Sequence, residues 1–553
     1  MIQQNLIKFY EKSFSENWDL PALSDYNGVS YNYGDVAKQV ARLHLLYEGL
    51  GIKKGDKIAV FGKNSANWGI SSMSVLTYGA VVVPILADFK PDAAHSIINH
   101  SDAVLLLVDK QIMDTLSEAD LKNVRAILSL DDFGILSTKP SEAFKKTHDQ
   151  LDELLKEKCK GEFTREHIKY AEVDNSEVAQ INYTSGTTGF SKGVVLTANS
   201  LAGNVEYAIH NMELNAGEKM LSIIPLAHCY GFAFDFLFPM AVGVHVTILG
   251  KIPATPVILK AFSEIEPHLI LFVPIFFEKL FKKKVLPTLQ KGSMKVLTKI
   301  PGIRGLIYGA IRKKLHESFG GRFREAVLGG AALGAETEEF FTKIKFPYTI
   351  GYGMTECGPL ISYDGYATTR RGSSGKIVDS MEMKIESAEP YDVPGEILVR
   401  GEVLMQGYYK NEEATKEAID ADGWFHTGDL GVTDKDGYIY IKGRSKSMLL
   451  GSSGQNIYPE EIEAKLNNQP YIGESVVLMN KDHRLEALVY PDMEQVKVDR
   501  VSNKLEALME ENRKEINSHL AAYESLLKIY IHDKEFEKTP KRSIKRFLYK
   551  LDD

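Results

Sequence analysis

Between Asp56 and Val108 the apolar pattern switches period from one element to the next. Asp56–Phe61 reads as a strand, Asn67–Tyr78 as a helix, Ala80–Ile85 as a strand, Pro91–Asn99 as a helix and Ala103–Val108 as a strand. Strand and helix periods alternating this way predict α/β architecture with a parallel sheet. Ahead of them, residues 2–50 predict a strand pair and then a helix, Tyr33–Tyr47. The charged stretch 138–170 predicts exposed helix, and residues 393–442 predict a β-rich segment. With 553 residues the chain exceeds one ordinary core, so two or more domains are expected.

Composition narrows the class. An apolar share of 44% and a charged share of 25% describe an ordinary globular protein. The net charge of −8 gives no general reason to expect a nucleic-acid partner. Three cysteines without C-x-x-C spacing imply neither a disulfide framework nor a zinc site. The amino terminus shows no basic region followed by an apolar run, and no stretch approaches the roughly 18 apolar residues of a membrane span. A cytoplasmic location is expected.

One stretch within this frame carries chemistry: Tyr183-Thr-Ser-Gly-Thr-Thr-Gly-Phe-Ser-Lys-Gly193. Gly186, Gly189 and Gly193 free the backbone for positive φ and close approach to a ligand. Thr184, Ser185, Thr187 and Thr188 add hydroxyls, and Lys192 adds a cation. Bared amides, hydroxyls and one lysine suit phosphate oxygens. The spacing excludes a Walker loop, because Ser191 stands five positions after Gly186 and Gly193 follows the lysine. No G-x-G-x-x-G opens a helix, so the dinucleotide fingerprint is missing as well. Val178–Tyr183 and Val194–Thr197 read as strands flanking the loop, with a helix from Asn199.

The stretch closely resembles the phosphate-binding loop of the adenylate-forming superfamily, usually T-S-G-T-T-G-x-P-K-G, with Ser191 here in place of the proline. Four further segments extend the resemblance in family order. Pro225-Leu-Ala-His-Cys-Tyr-Gly231 matches P-L-x-H-x-x-G, which places His228 and Gly231 at the acyl pocket. From the residues alone His228 reads first as a satisfied core or turn histidine, a reading that the resemblance reverses, and Cys229 reads as pocket lining. Gly329, Gly330 and Ala331 match the small-residue wall between adenine and acyl group. Tyr352-Gly353-Met-Thr355-Glu356 matches the segment in which the tyrosine stacks on adenine, the threonine bonds the α-phosphate and the glutamate holds Mg²⁺. Asp429 and Arg444 match the residues that bind ribose.

The resemblance also implies the domain plan: an AMP- and acyl-binding domain over 1–443, a hinge over 444–447 centred on Lys446, and a small mobile α+β domain over 448–553. Pro459 is placed to open a helix with acids in its first turn. Gly454 would border the pantetheine tunnel. The terminal motif departs from the pattern. Matching its I-x-R to Ile544 and Arg546 puts Ser543 where relatives carry the adenylation lysine, so the expectation moves to Lys545, with Lys541 as the other choice.

Phe272-Val-Pro-Ile-Phe-Phe-Glu-Lys-Leu280 and Phe319-Gly-Gly-Arg-Phe-Arg324 resemble long-chain fatty acyl-CoA synthetases in particular. That implies ATP, Mg²⁺ and coenzyme A acting on a fatty acid. An acyl carrier protein as acceptor, an acyl-AMP ligase, or a non-catalytic binder are the alternatives. Between Phe281 and Arg324 lie 12 Lys/Arg against one acid, Glu317. Such a run is usually a solvated face; the other reading is a contact with an anionic membrane surface, helped by Ile303, Leu306, Ile307 and Ile311.

Overall fold

The computed structural model describes every residue except 1, 3, 138–139, 186–190, 251–254, 291, 451–455, 540–543 and 552–553. The side chains of 185, 191, 283, 284, 290, 293, 295, 301 and 456 are likewise outside the description. The expected alternation is present as strands Lys57–Gly62, Val81–Leu86 and Ala103–Val108 with helices Ala66–Tyr78 and Pro91–His100. These three strands pair in parallel, and Ala126–Ser129 extends them at one edge. Their side chains are buried on both faces, as helix-covered parallel strands require.

On the other edge Val178–Ser185 joins Val81–Leu86 in parallel. Ser191–Thr197 then returns antiparallel, pairing Thr184 with Lys192 and Ser185 with Ser191. Gly407–Tyr408 adds the last strand, antiparallel to Ser191–Thr197. The glycine- and hydroxyl-rich loop is therefore the connection of a hairpin, at the carboxyl end of a central strand. Gly186, Thr187, Thr188 and Gly189 fall outside the described residues, as does the side chain of Ser185.

A second sheet runs Ser30–Asn32, Pro21–Asp25, His245–Ile248 and Lys219–Ser222, parallel after its first pair. A third, of Leu269–Phe272, Glu325–Leu328 and Tyr348–Ile350, is wholly parallel. The β-rich segment is a four-stranded antiparallel sheet of Met381–Glu386, Gly395–Gly401, Phe425–Thr433 and Ile439–Arg444. Beyond it, Ile472–Met479, Leu485–Pro491 and Leu526–Ile531 form a separate three-stranded sheet. That sheet and the helices Pro459–Leu466 and Leu505–Asn517 share an apolar cluster of their own, built on Ile462, Leu466, Val477, Val489 and Ile516. The fold class is thus α/β, with a β-rich subdomain and a small carboxyl-terminal α+β unit.

Two local expectations need correction. The lead-in is not a strand pair alone, because the helix Leu6–Glu16 precedes it, capped by Asn5, whose side chain accepts from the Ile7 amide at 3.0 Å. Leu6, Ile7, Phe9, Tyr10 and Phe14 are its buried stripe, at helical spacing. Second, the exposed helix over 138–170 is two short helices, Glu142–Asp149 and Leu151–Cys159, which bury Phe144, Leu151 and Leu155.

Candidate active site

Strand ends from four sheets meet around one cluster of polar side chains. Phe425–Thr433 and Ile439–Arg444 pair so that Asp429 lies directly opposite Arg444. The Asp429 carboxylate receives Arg444 Nε at 2.8 Å on one oxygen and the Tyr352 hydroxyl at 2.6 Å on the other. Tyr352 and Asp429 are buried, whereas Arg444 is half exposed. Burial pushes the Asp429 carboxyl up from its ordinary range, and the Arg444 guanidinium opposes that push. Thr427 fixes the turn: its hydroxyl donates to the Ile397 carbonyl at 2.7 Å and accepts from the Asp429 amide at 3.0 Å.

Tyr352 enters this cluster from a tight turn. A Cβ on Gly353 would stand 2.1 Å from the Pro359 carbonyl oxygen, so only glycine permits the chain to double back there. The Met354 amide donates to that same carbonyl at 2.8 Å. Asn204 clamps the far side, accepting from the Leu360 amide at 2.9 Å. The turn presents Thr355 and Glu356 in succession, in the short 3₁₀ segment Thr355–Cys357.

Glu356 and Lys192 are brought together by a residue that sequence reasoning missed. The Tyr408 hydroxyl donates to Glu356 Oε1 at 3.0 Å, and Lys192 Nζ lies 4.7 Å from the centre of the Tyr408 ring. Tyr408 reaches this position because it pairs with Val194 across the sheet edge. Nothing in Gln406-Gly-Tyr-Tyr409 marks it, and only the strand pairing reveals it. Glu356 Oε2 makes no hydrogen bond among the described residues, so a hard oxygen stays available for a divalent cation.

His228 belongs to the same neighbourhood. Its ring Nδ1 lies 3.7 Å from Cys229 Sγ, which is 3.3 Å from the Thr355 hydroxyl. The segment folds sharply over Gly231, where a Cβ would meet the Pro225 carbonyl oxygen at 2.4 Å. It leads into the π-helical stretch Gly231–Leu237, whose buried Asp235 accepts from Ser222, Ile223 and Ile224 at 3.0–3.2 Å. Tyr230, also missed from sequence, donates to the Val327 carbonyl at 3.1 Å. Its ring faces Gly329, where a Cβ would come within 3.1 Å of it. Gly330 takes φ +84, in the left-handed region that favours glycine, and Ala331 follows it.

Two expected residues stand apart. Lys545 Nζ lies 3.6 Å from Glu537, inside the carboxyl-terminal unit. Lys446 is exposed within the turn Ser445–Ser447, immediately after Arg444. Gly454, Lys541 and Ser543 fall outside the described residues.

The constellation is therefore a cation and a hydroxyl-bearing hairpin, a carboxylate with a spare oxygen, a buried aspartate–arginine pair beside a tyrosine, and a histidine-bearing turn. A family model described as AMP-binding enzyme matches residues 10–409, and one described as AMP-binding enzyme C-terminal domain matches 446–549. A long-chain-fatty-acid–CoA ligase, FadD15 of Mycobacterium bovis, is 29% identical over 83% of this chain and 77% of its own length. A long-chain-fatty-acid–[acyl-carrier-protein] ligase of Arabidopsis thaliana, AEE15, is 28% identical over 81% of this chain and 70% of its own. Among solved structures, the anthranilate CoA ligase AuaEII with anthranoyl-AMP superposes with a TM-score of 0.80 at 20% identity, covering 99% of this chain and 97% of that one. The o-succinylbenzoate CoA synthetase of Bacillus subtilis with ATP and magnesium gives 0.74 at 21%, covering 99% of each chain. Sequence motifs, fold and matched models agree, and the chain belongs to the AMP-binding enzyme family.

Proposed function

We propose that this chain is an ATP-dependent fatty acid–CoA ligase that forms an acyl-adenylate and then the acyl thioester. The observation that carries the reading is the joint placement of Tyr352, Asp429 and Arg444 beside Glu356, Tyr408 and Lys192, below the hairpin 178–197. Asp429 accepts the ribose hydroxyls while Arg444 holds its charge in place. Tyr352 lies against adenine, with Gly329, Gly330 and Ala331 as the opposite wall. Thr355 and the hydroxyls of 184–188 donate to phosphate oxygens. Glu356 would hold Mg²⁺ through its spare oxygen, and the ion, when bound, neutralises phosphate charge. His228 and Gly231 border the acyl carboxylate.

In the first step a carboxylate oxygen of the acid attacks the α-phosphorus of ATP. The new P–O bond forms as the bond to the β-phosphate oxygen breaks, and pyrophosphate leaves. Lys192 faces the charge developing on those oxygens, so positioning and electrostatics carry the step. Lys545 joins it when the carboxyl-terminal unit, turning about Lys446, brings the terminal segment inward. In the second step the CoA sulfur, its thiol proton released to solvent, attacks the acyl carbonyl, the C–O bond to phosphate breaks, and AMP leaves with the electron pair. Gly454 borders the path of the thiol. Long-chain preference is supported by the relatives named for it and by the Phe272–Leu280 segment.

The test is AMP release from Mg-ATP over short, medium and long fatty acids, each with CoA, with acyl carrier protein, or with neither. CoA-dependent turnover peaking on a medium or long acid is expected. Turnover only with the carrier protein would move the acceptor, and no AMP with any acid would overturn the ligase reading.

A further inference from the structure

We propose that the helix Pro301–Ser318 docks the protein on an anionic lipid bilayer. It carries two features along its outer side. Leu306 is 77% exposed, and Val296 on the preceding helix Gly292–Leu297 is 63% exposed. Ile300 and Ile303 are exposed between them. Gly302, Gly305 and Gly309 meet nothing within 4 Å of an added Cβ, so among the described residues no neighbouring element covers this side. Positions 302, 306, 309 and 313 share one helix face, which turns from apolar to basic along its length.

The basic end is an open groove of about 540 Å³, lined by Arg312, Lys313, His316, Lys345 and Tyr366. Lys313 is held 3.8 Å from Glu317, the one acid of the helix. Lys299, Arg312 and Lys314 are exposed and form no ion pair among the described residues. The chain as a whole carries −8, so this concentration of unpaired cations is a local reversal of sign. Bulky apolar side chains in water beside unpaired cations are the composition of a helix lying at a bilayer interface. The charge selects an anionic surface, and the apolar side chains give it a reason to stay. Among the described residues no helix is long and apolar enough to cross a membrane, so the contact is peripheral.

The test is co-sedimentation of the full chain with vesicles of phosphatidylcholine alone or with a third phosphatidylglycerol, without ATP or acyl substrate. Omitting substrate keeps the result independent of the ligase reading. Binding to the anionic vesicles only, weakened by salt, is expected. R312Q/K314Q, the two cations flanking that face, should lower the partition coefficient about 25-fold, roughly fivefold per charge, and Leu306→Ser should lower it several-fold. Both variants change exposed side chains, and their far-UV circular dichroism and AMP release with a water-soluble acid should match wild type. No binding to anionic vesicles, or binding that ignores both variants, would overturn the proposal. So would a saturable complex with an acidic carrier protein that only these variants abolish.

Discussion

The Asp429 carboxylate meets two partners already, and a bound ribose would be a third. Its carboxyl is raised by burial, while the Arg444 guanidinium and then the Tyr352 hydroxyl pull it down, so the charge leans on those two partners. Asp429→Asn keeps the shape and removes the charge. Charge-assisted hydrogen bonds contribute about 1.5–3 kcal/mol, so the KM for ATP is expected to rise about 10- to 100-fold with a smaller change in kcat. An unchanged KM for ATP would remove Asp429 from the nucleotide site. Asp235 gives a prediction of a different kind. Burial pushes its carboxyl up to about 7, and its Oδ1 finds no hydrogen-bond partner among the described residues. The folded state therefore retains a proton that the unfolded chain releases near pH 4. That contribution is full below pH 4 and is lost as pH rises through 7. Asparagine copies the protonated form, so Asp235→Asn should gain on wild type in thermal denaturation between pH 5 and pH 8. The ceiling is a few kcal/mol, at about 1.4 kcal/mol per pKa unit; a Tm difference that stays level across that range would show the carboxyl to be charged in the fold.

At the scale of elements, the turn from Tyr352 to Leu360 holds the site together, and Gly353 is its pinch point. Gly353→Ala must push Pro359 away, at about 1–3 kcal/mol of overpacking. The same displacement moves Thr355 and Glu356, so adenylate formation is expected to fall at least about 10-fold, measured by pyrophosphate release. A variant that loses stability but keeps its rate would mean the turn does not position those residues. Most of this turn was readable in advance, because Tyr352, Gly353, Thr355 and Glu356 are adjacent in the chain. Asp429 and Arg444 were readable for a related reason, since each sits in a short segment with its own glycines. Tyr408 and Tyr230 were not. Each acts through a contact across strands or turns distant in sequence, and a single tyrosine beside a glycine carries no pattern. The helix Leu6–Glu16 went unread although its apolar stripe is regular, and Asn5 is the cap that would have marked its start. Pairing and capping decide such cases, and local spacing reports only part of them.

For the molecule as a whole, the proposed mechanism requires the carboxyl-terminal unit to reach the nucleotide. Polar contacts among the described residues help hold it against the larger part of the chain, beside the packing of Tyr458 on Gly443. Lys282, in the helical turns after Pro274–Leu280, donates from Nζ to the Asn467 carbonyl at the end of the helix Pro459–Leu466. Burial lowers the Lys282 ammonium, while Glu278, Glu336 and Asp492 hold it up. Lys442 stands 3.6 Å from Glu461 across the same boundary. Polar contacts of this kind are separable, as the proposed turn about Lys446 would require, and under that proposal Lys545 beside Glu537 would be in a resting position. The two half-reactions should part company accordingly. Lys545→Ala is expected to slow adenylate formation by two orders of magnitude or more, while leaving CoA transfer from supplied acyl-adenylate near wild type. Lys446→Pro fixes φ at the pivot and should impair the half-reaction that needs the other orientation, sparing the one the resting arrangement serves. Lys282→Met removes one contact that holds that arrangement, and should increase proteolytic cleavage within 444–447. If Lys545→Ala slows both half-reactions equally, the lysine supports the fold of the terminal unit and does not act on the phosphate. If Lys446→Pro leaves both rates intact, the pivot lies elsewhere in the chain.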